Sequence, residues 1–364
     1  MDQFEPLVQL LDSNGSIVEN SQYQSTLDDA ALLGFYRDMV LIRQLDVQAT
    51  ALQRQGELGL WAPLLGQEAA QIGSGRALER QDYAFTTYRE HGVAWCRGVD
   101  PVDMLRFWRG TLHQSWDANL HRLYGYQIII GAHTLHATGY AMGAQHAGRV
   151  GSGEAGRDQA VVAYFGDGAM SEGDVNEAFV FAAAYQAPVV FFCQNNQWAI
   201  SEPTQRQSRV PLVHRAAGFG MPGVRVDGND VMACHAVTVE ALNRARSGQG
   251  PTLIEAVTYR MGAHTTSDDP TKYRSEDEVE VWRGRDPINR LRVYLRAKGV
   301  LDDLQESELS RAAKSLADRM REECRELPDP QPLSMFDHVY VGSDPRLEEQ
   351  RRELTAILSE GSVN

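Results

Sequence analysis

Two short stretches carry the residues best suited to chemistry. Gly166-Asp167-Gly168-Ala169 sets one carboxylate between glycines, and Asn195-Asn196 follows after an apolar run. An aspartate is a hard oxygen ligand, and an asparagine adds an amide oxygen. Glycines let backbone amides approach a phosphate closely, and a helix opening just beyond them presents free amides and a positive dipole end to an anion. With a backbone carbonyl and phosphate oxygens, these groups can complete an octahedral magnesium shell. Either stretch alone is also a common bend.

The elements that must position them follow from the flanking pattern. Val161–Gly166 is a short apolar run suited to a buried parallel strand, and the apolar run from Ala187 leads up to Asn195 as a second. A helix over about 171–185 lies between them, so the segment reads as a strand–helix–strand unit. Asp167 and Asn196 then stand at the ends of neighbouring strands, where such folds bind ligands. Further strands are expected at 224–226 and 252–258, with a helix at 230–247 between them. Upstream, helical spacing runs over 27–56, with Ser25, Thr26, Asp28 and Asp29 as capping chemistry. Helices are also expected at 67–77, from Asp100-Pro101, and over 128–145. Two charged helices fill 286–325, a linker follows, and an amphipathic segment covers 344–359. Residues 1–27 read as a polar arm or partner-contacting extension, 28–330 as one α/β domain, and 331–364 as a C-terminal extension.

Composition agrees with a globular protein. The 364 residues are 43% hydrophobic and 23% charged, which excludes collagen-like, disordered and coiled-coil classes. A net charge of −14 argues against nucleic acid and anionic membranes as partners. The four cysteines are widely spaced and read as reduced thiols. No apolar run is long enough to span a membrane. Two motifs are set aside. Gly151-Ser-Gly153-Glu-Ala-Gly156 matches a dinucleotide pattern but precedes a strand instead of following one. His133 and His136 sit on a small-residue helix and read as packed side chains.

Taken together, these motifs resemble the thiamine pyrophosphate signature, and the chain over about 30–340 resembles the alpha subunits of the decarboxylating component of 2-oxo acid dehydrogenase complexes. The resemblance implies a thiamine-pyrophosphate-binding α/β fold, with a mostly parallel central sheet flanked by helices on both faces. Tyr88-Arg89-Glu90-His91-Gly92 resembles the segment whose Tyr and Arg contact the pyrophosphate, a role suited to a bidentate guanidinium. The resemblance gives Tyr88, Arg89, Ile130, Gly166, Asp167, Gly168, Ala169, Asn196, Trp198, Arg260 and His264 as cofactor-binding. Asp167, Asn196 and the Trp198 carbonyl are implied as magnesium ligands, with Trp in place of the usual Tyr. His264, within Gly262–Pro270, matches the catalytic histidine; Thr265 and Ser275 match positions phosphorylated in mitochondrial relatives.

The implied activity is oxidative decarboxylation of a 2-oxo acid with acyl transfer to a lipoyl carrier. The branched 3-methyl-2-oxobutanoate is favoured and pyruvate is the alternative. The implied partners are a beta subunit, in an α2β2 heterotetramer whose beta chain supplies the activating glutamate, and a lipoyl-bearing acyltransferase. The implied compartment is the bacterial cytoplasm, or the mitochondrial matrix if a transit peptide has been removed. Residues 111–135 depart most from the family pattern: Ile128-Ile129-Ile130 replace a Ser-Pro-Leu run, so no potassium requirement is expected. Gln194 replaces an arginine and loses a phosphate contact. The competing readings are a self-contained thiamine enzyme, which normally needs a longer chain, and a scaffolding subunit that keeps the fold without the chemistry.

Overall fold

The computed structural model of the chain describes residues 7–112 and 115–361. Residues 1–6 of the expected arm, 113 and 114 of the divergent stretch, and the last three of the C-terminal extension lie outside the described residues. Strand-forming runs are β1 (Tyr83–Phe85), β2 (Val161–Gly166), β3 (Val189–Asn195), a hairpin β4 (Trp198–Ala199) with β5 (Glu202–Pro203), β6 (Gly223–Asp227) and β7 (Thr252–Val257). Five of them form one parallel sheet in the order β1-β2-β3-β7-β6. The helices are α1 (Asp29–Arg54), α2 (Glu68–Ala77), α3 (His91–Cys96), α4 (Pro101–Arg109), α5 (Ala118–His121), α6 (Ala132–His146) and α7 (Gly173–Tyr185). They continue with α8 (Thr204–Gln207), α9 (Arg215–Gly218), α10 (Val231–Arg246), α11 (Glu276–Arg283), α12 (Pro287–Ala297), α13 (Asp303–Glu326) and α14 (Pro345–Gly361).

The period-two alternation of strand side chains divides the core in two. Val162, Tyr164, Val190, Phe192 and Ile254 point to one face, into a core shared with α1, α2, α10, α12 and α13. Val161, Ala163, Phe165, Val189, Phe191 and Cys193 point to the other, against Ala137 and Ala141 of α6 and Val175, Ala178 and Phe179 of α7. A strand buried on both faces has no polar side to show, which is why these runs are continuously apolar. The expected fold class is therefore the observed one, with helices on both faces.

Several boundaries shift. The helix expected from 128 opens only at Ala132, and Ile128–Ile130 lie outside it and are exposed. Between β2 and α7 stands a 3-10 turn, Asp167–Ser171. The first described residues are seated against the sheet. Val8 lies parallel to β6, its amide donating to the Arg225 carbonyl at 2.8 Å and its carbonyl accepting from Asp227 N at 3.0 Å. Leu10 and Leu11 are buried, and both amides donate to one Asp230 carboxylate oxygen, at 2.7 and 2.6 Å. Their apolar side chains, set in a polar sequence, explain the packing. No helix among the described residues is long and apolar enough to cross a membrane.

Candidate functional site

The carboxyl ends of β2 and β3 lie side by side, with Gly166 in register with Gln194. Beyond them the chain turns away on both sides and leaves a cavity of about 680 Å³. Tyr88, Arg89, Ile130, Gly166, Asp167, Gly168, Ala169, Asn196, Trp198 and His264 all line it. Arg260 does not; it is fully buried behind the wall and reaches the site through hydrogen bonds. A second cavity of about 660 Å³ lies between α1, α12 and α13 and contains none of the expected residues.

At one end of the site cavity sits Asp167. Its carboxylate accepts from Thr204 Oγ1 at 2.9 Å and Gln207 Nε2 at 3.1 Å, both neutral donors on α8. Burial pushes its pKa above the ordinary carboxylate value, against those hydrogen bonds. The hairpin of β4 and β5 brings α8 here, turning through Gln197 and Ile200 in left-handed backbone conformations. Gly168 faces that hairpin so closely that a Cβ on it would stand 2.8 Å from the Cβ of Ala199. Asn196 donates to Gln67 Oε1 at 3.1 Å, and its own Oδ1 accepts from Trp198 N at 3.3 Å. The Trp198 carbonyl accepts from Arg260 Nη1 at 2.8 Å and keeps a second lone pair. No side chain caps the first turn of α7, so its amides remain available to an anion.

His264 is held by two guanidinium groups. Arg89 Nη2 lies 3.1 Å from His264 Nδ1 and donates to its carbonyl at 2.8 Å, while Arg89 Nη1 donates to the Pro63 carbonyl at 2.6 Å. Arg260 Nη1 lies 3.4 Å from the same Nδ1. An atom facing two permanent donors acts as an acceptor, which assigns the ring proton to Nε2. Burial, reinforced by the charges of Arg89 and Arg260, lowers the His264 pKa to about 3. The loop around it is braced from within. Asp268 accepts from His264 N at 2.7 Å and Tyr273 Oη at 2.5 Å, and Arg274 binds the carbonyls of Arg260, Met261 and Gly262.

Glu90 also lines the cavity; it is buried and its pKa is raised by that burial, offset by donors from Thr87 N (2.6 Å), Thr87 Oγ1 (2.5 Å) and Gln194 Nε2 (2.6 Å). Gln194 thus spends its amide on Glu90. Its Oε1 and the Nε2 of Gln67 are buried without a protein partner, and both residues line the cavity.

Would these residues suit a magnesium diphosphate? The donor set is one buried carboxylate without an ionic partner, a carboxamide and a backbone carbonyl, all hard oxygens. Glycines, an uncapped helix start and the unpartnered Nε2 donor of Gln67 suit phosphate oxygens. The fit is good. No group of three or more His, Cys, Asp or Glu that could hold a metal occurs among the described residues.

Leu60, Gln67, Trp108, Gln207 and Glu202 also line the cavity and carried no sequence signal of their own. Of the motifs set aside, 151–156 forms neither strand nor helix, and His133 is buried with Nε2 2.6 Å from the Tyr164 carbonyl; His136, expected to be packed, is exposed on α6 because its side chain points away from the sheet.

Against known proteins, a family model described as "Dehydrogenase E1 component" matches residues 36–332. The chain is 46% identical over 353 residues to the 3-methyl-2-oxobutanoate dehydrogenase subunit alpha of Mycobacterium tuberculosis, covering 97% of this chain and 94% of that one. It is 38% identical over 346 residues to the pyruvate dehydrogenase E1 component subunit alpha of Staphylococcus epidermidis, covering 94% and 91%. It is 40% identical over 311 residues to the subunit of that name in Staphylococcus aureus, covering 85% and 82%.

Proposed function

The chain belongs to the dehydrogenase E1 component family, and from that premise we propose that it is the alpha subunit of a thiamine pyrophosphate-dependent 2-oxo acid dehydrogenase, acting on branched-chain substrates such as 3-methyl-2-oxobutanoate. The observation that carries the reading is one cavity lined by Asp167, Asn196, Trp198, Arg89 and His264. The substrate choice rests on the 46% identical relative and on the apolar share of the wall, Leu60, Trp108, Ile128 and Ile130. Pyruvate is the second reading, favoured by the relatives at 38% and 40% identity.

In this reading Asp167, Asn196 and the Trp198 carbonyl hold Mg2+, and the amides of Gly168 and Ala169 with the start of α7 receive the diphosphate. Tyr88 and Arg89 flank it, and Ile130 supplies an apolar contact. When bound, thiamine pyrophosphate supplies the electron sink that lets a 2-oxo acid lose carbon dioxide. His264 stays neutral and donates from Nε2 to the substrate oxygen as negative charge develops there. Arg89 and Arg260 hold the ring in the tautomer that does so. A beta subunit completes each site in an α2β2 assembly, and a lipoyl-bearing acyltransferase takes the acyl group. Residues 28–330 form the cofactor-binding unit, and the bacterial cytoplasm is the compartment.

The test uses the chain co-expressed with its beta subunit, with an artificial electron acceptor and either 3-methyl-2-oxobutanoate or pyruvate. Turnover that needs both thiamine pyrophosphate and Mg2+, faster on the branched acid, is the expected result. Faster turnover of pyruvate would transfer the chain to the second reading. Turnover indifferent to cofactor and metal would refute both.

A further inference from the structure

The cavity is chemically lopsided. Asp167, Gln194, Asn196 and Gln207 make one end polar. Leu60 and Trp108 form an apolar wall, and the hydrogen bonds around them show which part of the site they adjoin. Gly59 N donates to the Trp108 carbonyl at 3.0 Å, which seats Leu60 against the end of α4. On the other side of Leu60, Trp61 N donates to Thr266 Oγ1 at 3.1 Å and Thr266 N donates to the Trp61 carbonyl at 2.9 Å. Leu60 and Trp108 therefore stand beside the loop of His264.

This wall is rigid. Trp108 is buried and makes edge contacts with Trp61 at 5.6 Å and His91 at 6.2 Å between ring centroids. Trp61 is stacked on His91 at 4.1 Å, and its Nε1 donates to Asp46 at 2.7 Å. His91 is pinned at both nitrogens, to Tyr126 Oη at 2.6 Å and the Ala62 carbonyl at 3.0 Å. By contrast Ile128 and Ile130 are exposed and belong to no helix or strand. A wall packed from behind rejects by volume; an exposed loop yields more readily.

Resting on the proposed 2-oxo acid chemistry, we propose that Trp108 and Leu60, and not the isoleucines, set the upper size of the substrate's side chain. They touch the apolar chain of the substrate and take no part in bond making.

The test measures kcat/KM of the co-expressed alpha–beta complex on pyruvate, 3-methyl-2-oxobutanoate, 4-methyl-2-oxopentanoate and 3-phenyl-2-oxopropanoate. Trp108→Leu opens the pocket by six heavy atoms, and the ratio of the phenyl substrate to pyruvate should rise at least about tenfold, the lower end of what a single methylene is worth in such a pocket. Leu60→Phe narrows it, and the ratio of 4-methyl-2-oxopentanoate to pyruvate should fall by a similar factor. Opposite changes in the two variants cannot come from general damage. If Trp108→Leu fails to fold, Leu60→Phe decides. Ratios within twofold of the parent would overturn the proposal, as would Ile130→Ala moving them more than either variant does. A parent complex inactive on every 2-oxo acid would instead overturn the functional reading beneath it.

Discussion

One imidazole shows how much a neighbourhood sets a residue's chemistry. His264 accepts from two arginines at Nδ1, and burial with their charge brings its pKa from 6.5 to about 3. The folded chain thus disfavours the protonated ring. The unfolded chain begins to bind that proton as pH falls through 6.5, so stability declines from there toward pH 3 on account of this group. We expect the His264 imidazole signals, identified by difference against His264→Asn in isotope-labelled chain, to show no titration between pH 8 and pH 5. A midpoint near 6.5 would contradict the double-arginine clamp. His264, Asp167 and Asn196 were legible in the sequence because each lies in a contiguous motif. Gln67, Trp108, Thr204 and Gln207 were not, since each gains its part only when segments 37 to 129 positions away arrive. Trp108 reads as an ordinary core aromatic on an amphipathic helix.

Among elements, the small hairpin after β3 carries more of the site than its four paired residues suggest. It brings Thr204 and Gln207 to Asp167 and packs Ala199 on Gly168. Gly168→Ala would drive two methyl-sized groups to 2.8 Å, too close for any real pair, so turn and hairpin must separate. Calorimetry should show Mg2+-dependent thiamine pyrophosphate binding weakened at least about tenfold, with helix content unchanged, and Ala199→Gly in the same chain should restore most of it, the coupling expected of touching residues. Equal binding by Gly168→Ala would remove the steric argument. At this scale the sequence named β2, β3 and β7 well because each is a short apolar run, and the long helices because their periodicity spans many residues. It missed β1 and α3, of three and six residues, where no period can be read. It missed the 3-10 turn too, since glycine and aspartate suit many bends.

The whole molecule is tied together where the first described residues meet the edge strand β6 and α12. Arg290 is nearly fully buried; it donates to Asp227 Oδ2 at 2.6 Å and to the Leu11 carbonyl at 3.0 Å, and Gln9 Nε2 reaches the same Asp227 oxygen at 2.8 Å. Removing one partner of a buried pair strands the other charge, at a cost of about 3–5 kcal/mol. Arg290→Ala should therefore lower the denaturant midpoint markedly and expose the segment around Leu11 to limited proteolysis. A midpoint unchanged within error would mean the tie is dispensable. This was the part least visible in the sequence, because a polar N-terminal stretch gives no hint of a seat more than 200 residues away. The same seat bears on solubility. An outer strand of a sheet offers unpaired amides and carbonyls to any neighbour, and exposed ones recruit other chains into aggregates. Here Val8 covers β6, and Leu123 covers β1 at Ala84. In a newly made chain Val8 is synthesised long before β6, so the shield waits for what it will shield. A chain lacking residues 1–11 would keep its cavity and lose that cover, and it would be found in the insoluble fraction before it was found inactive.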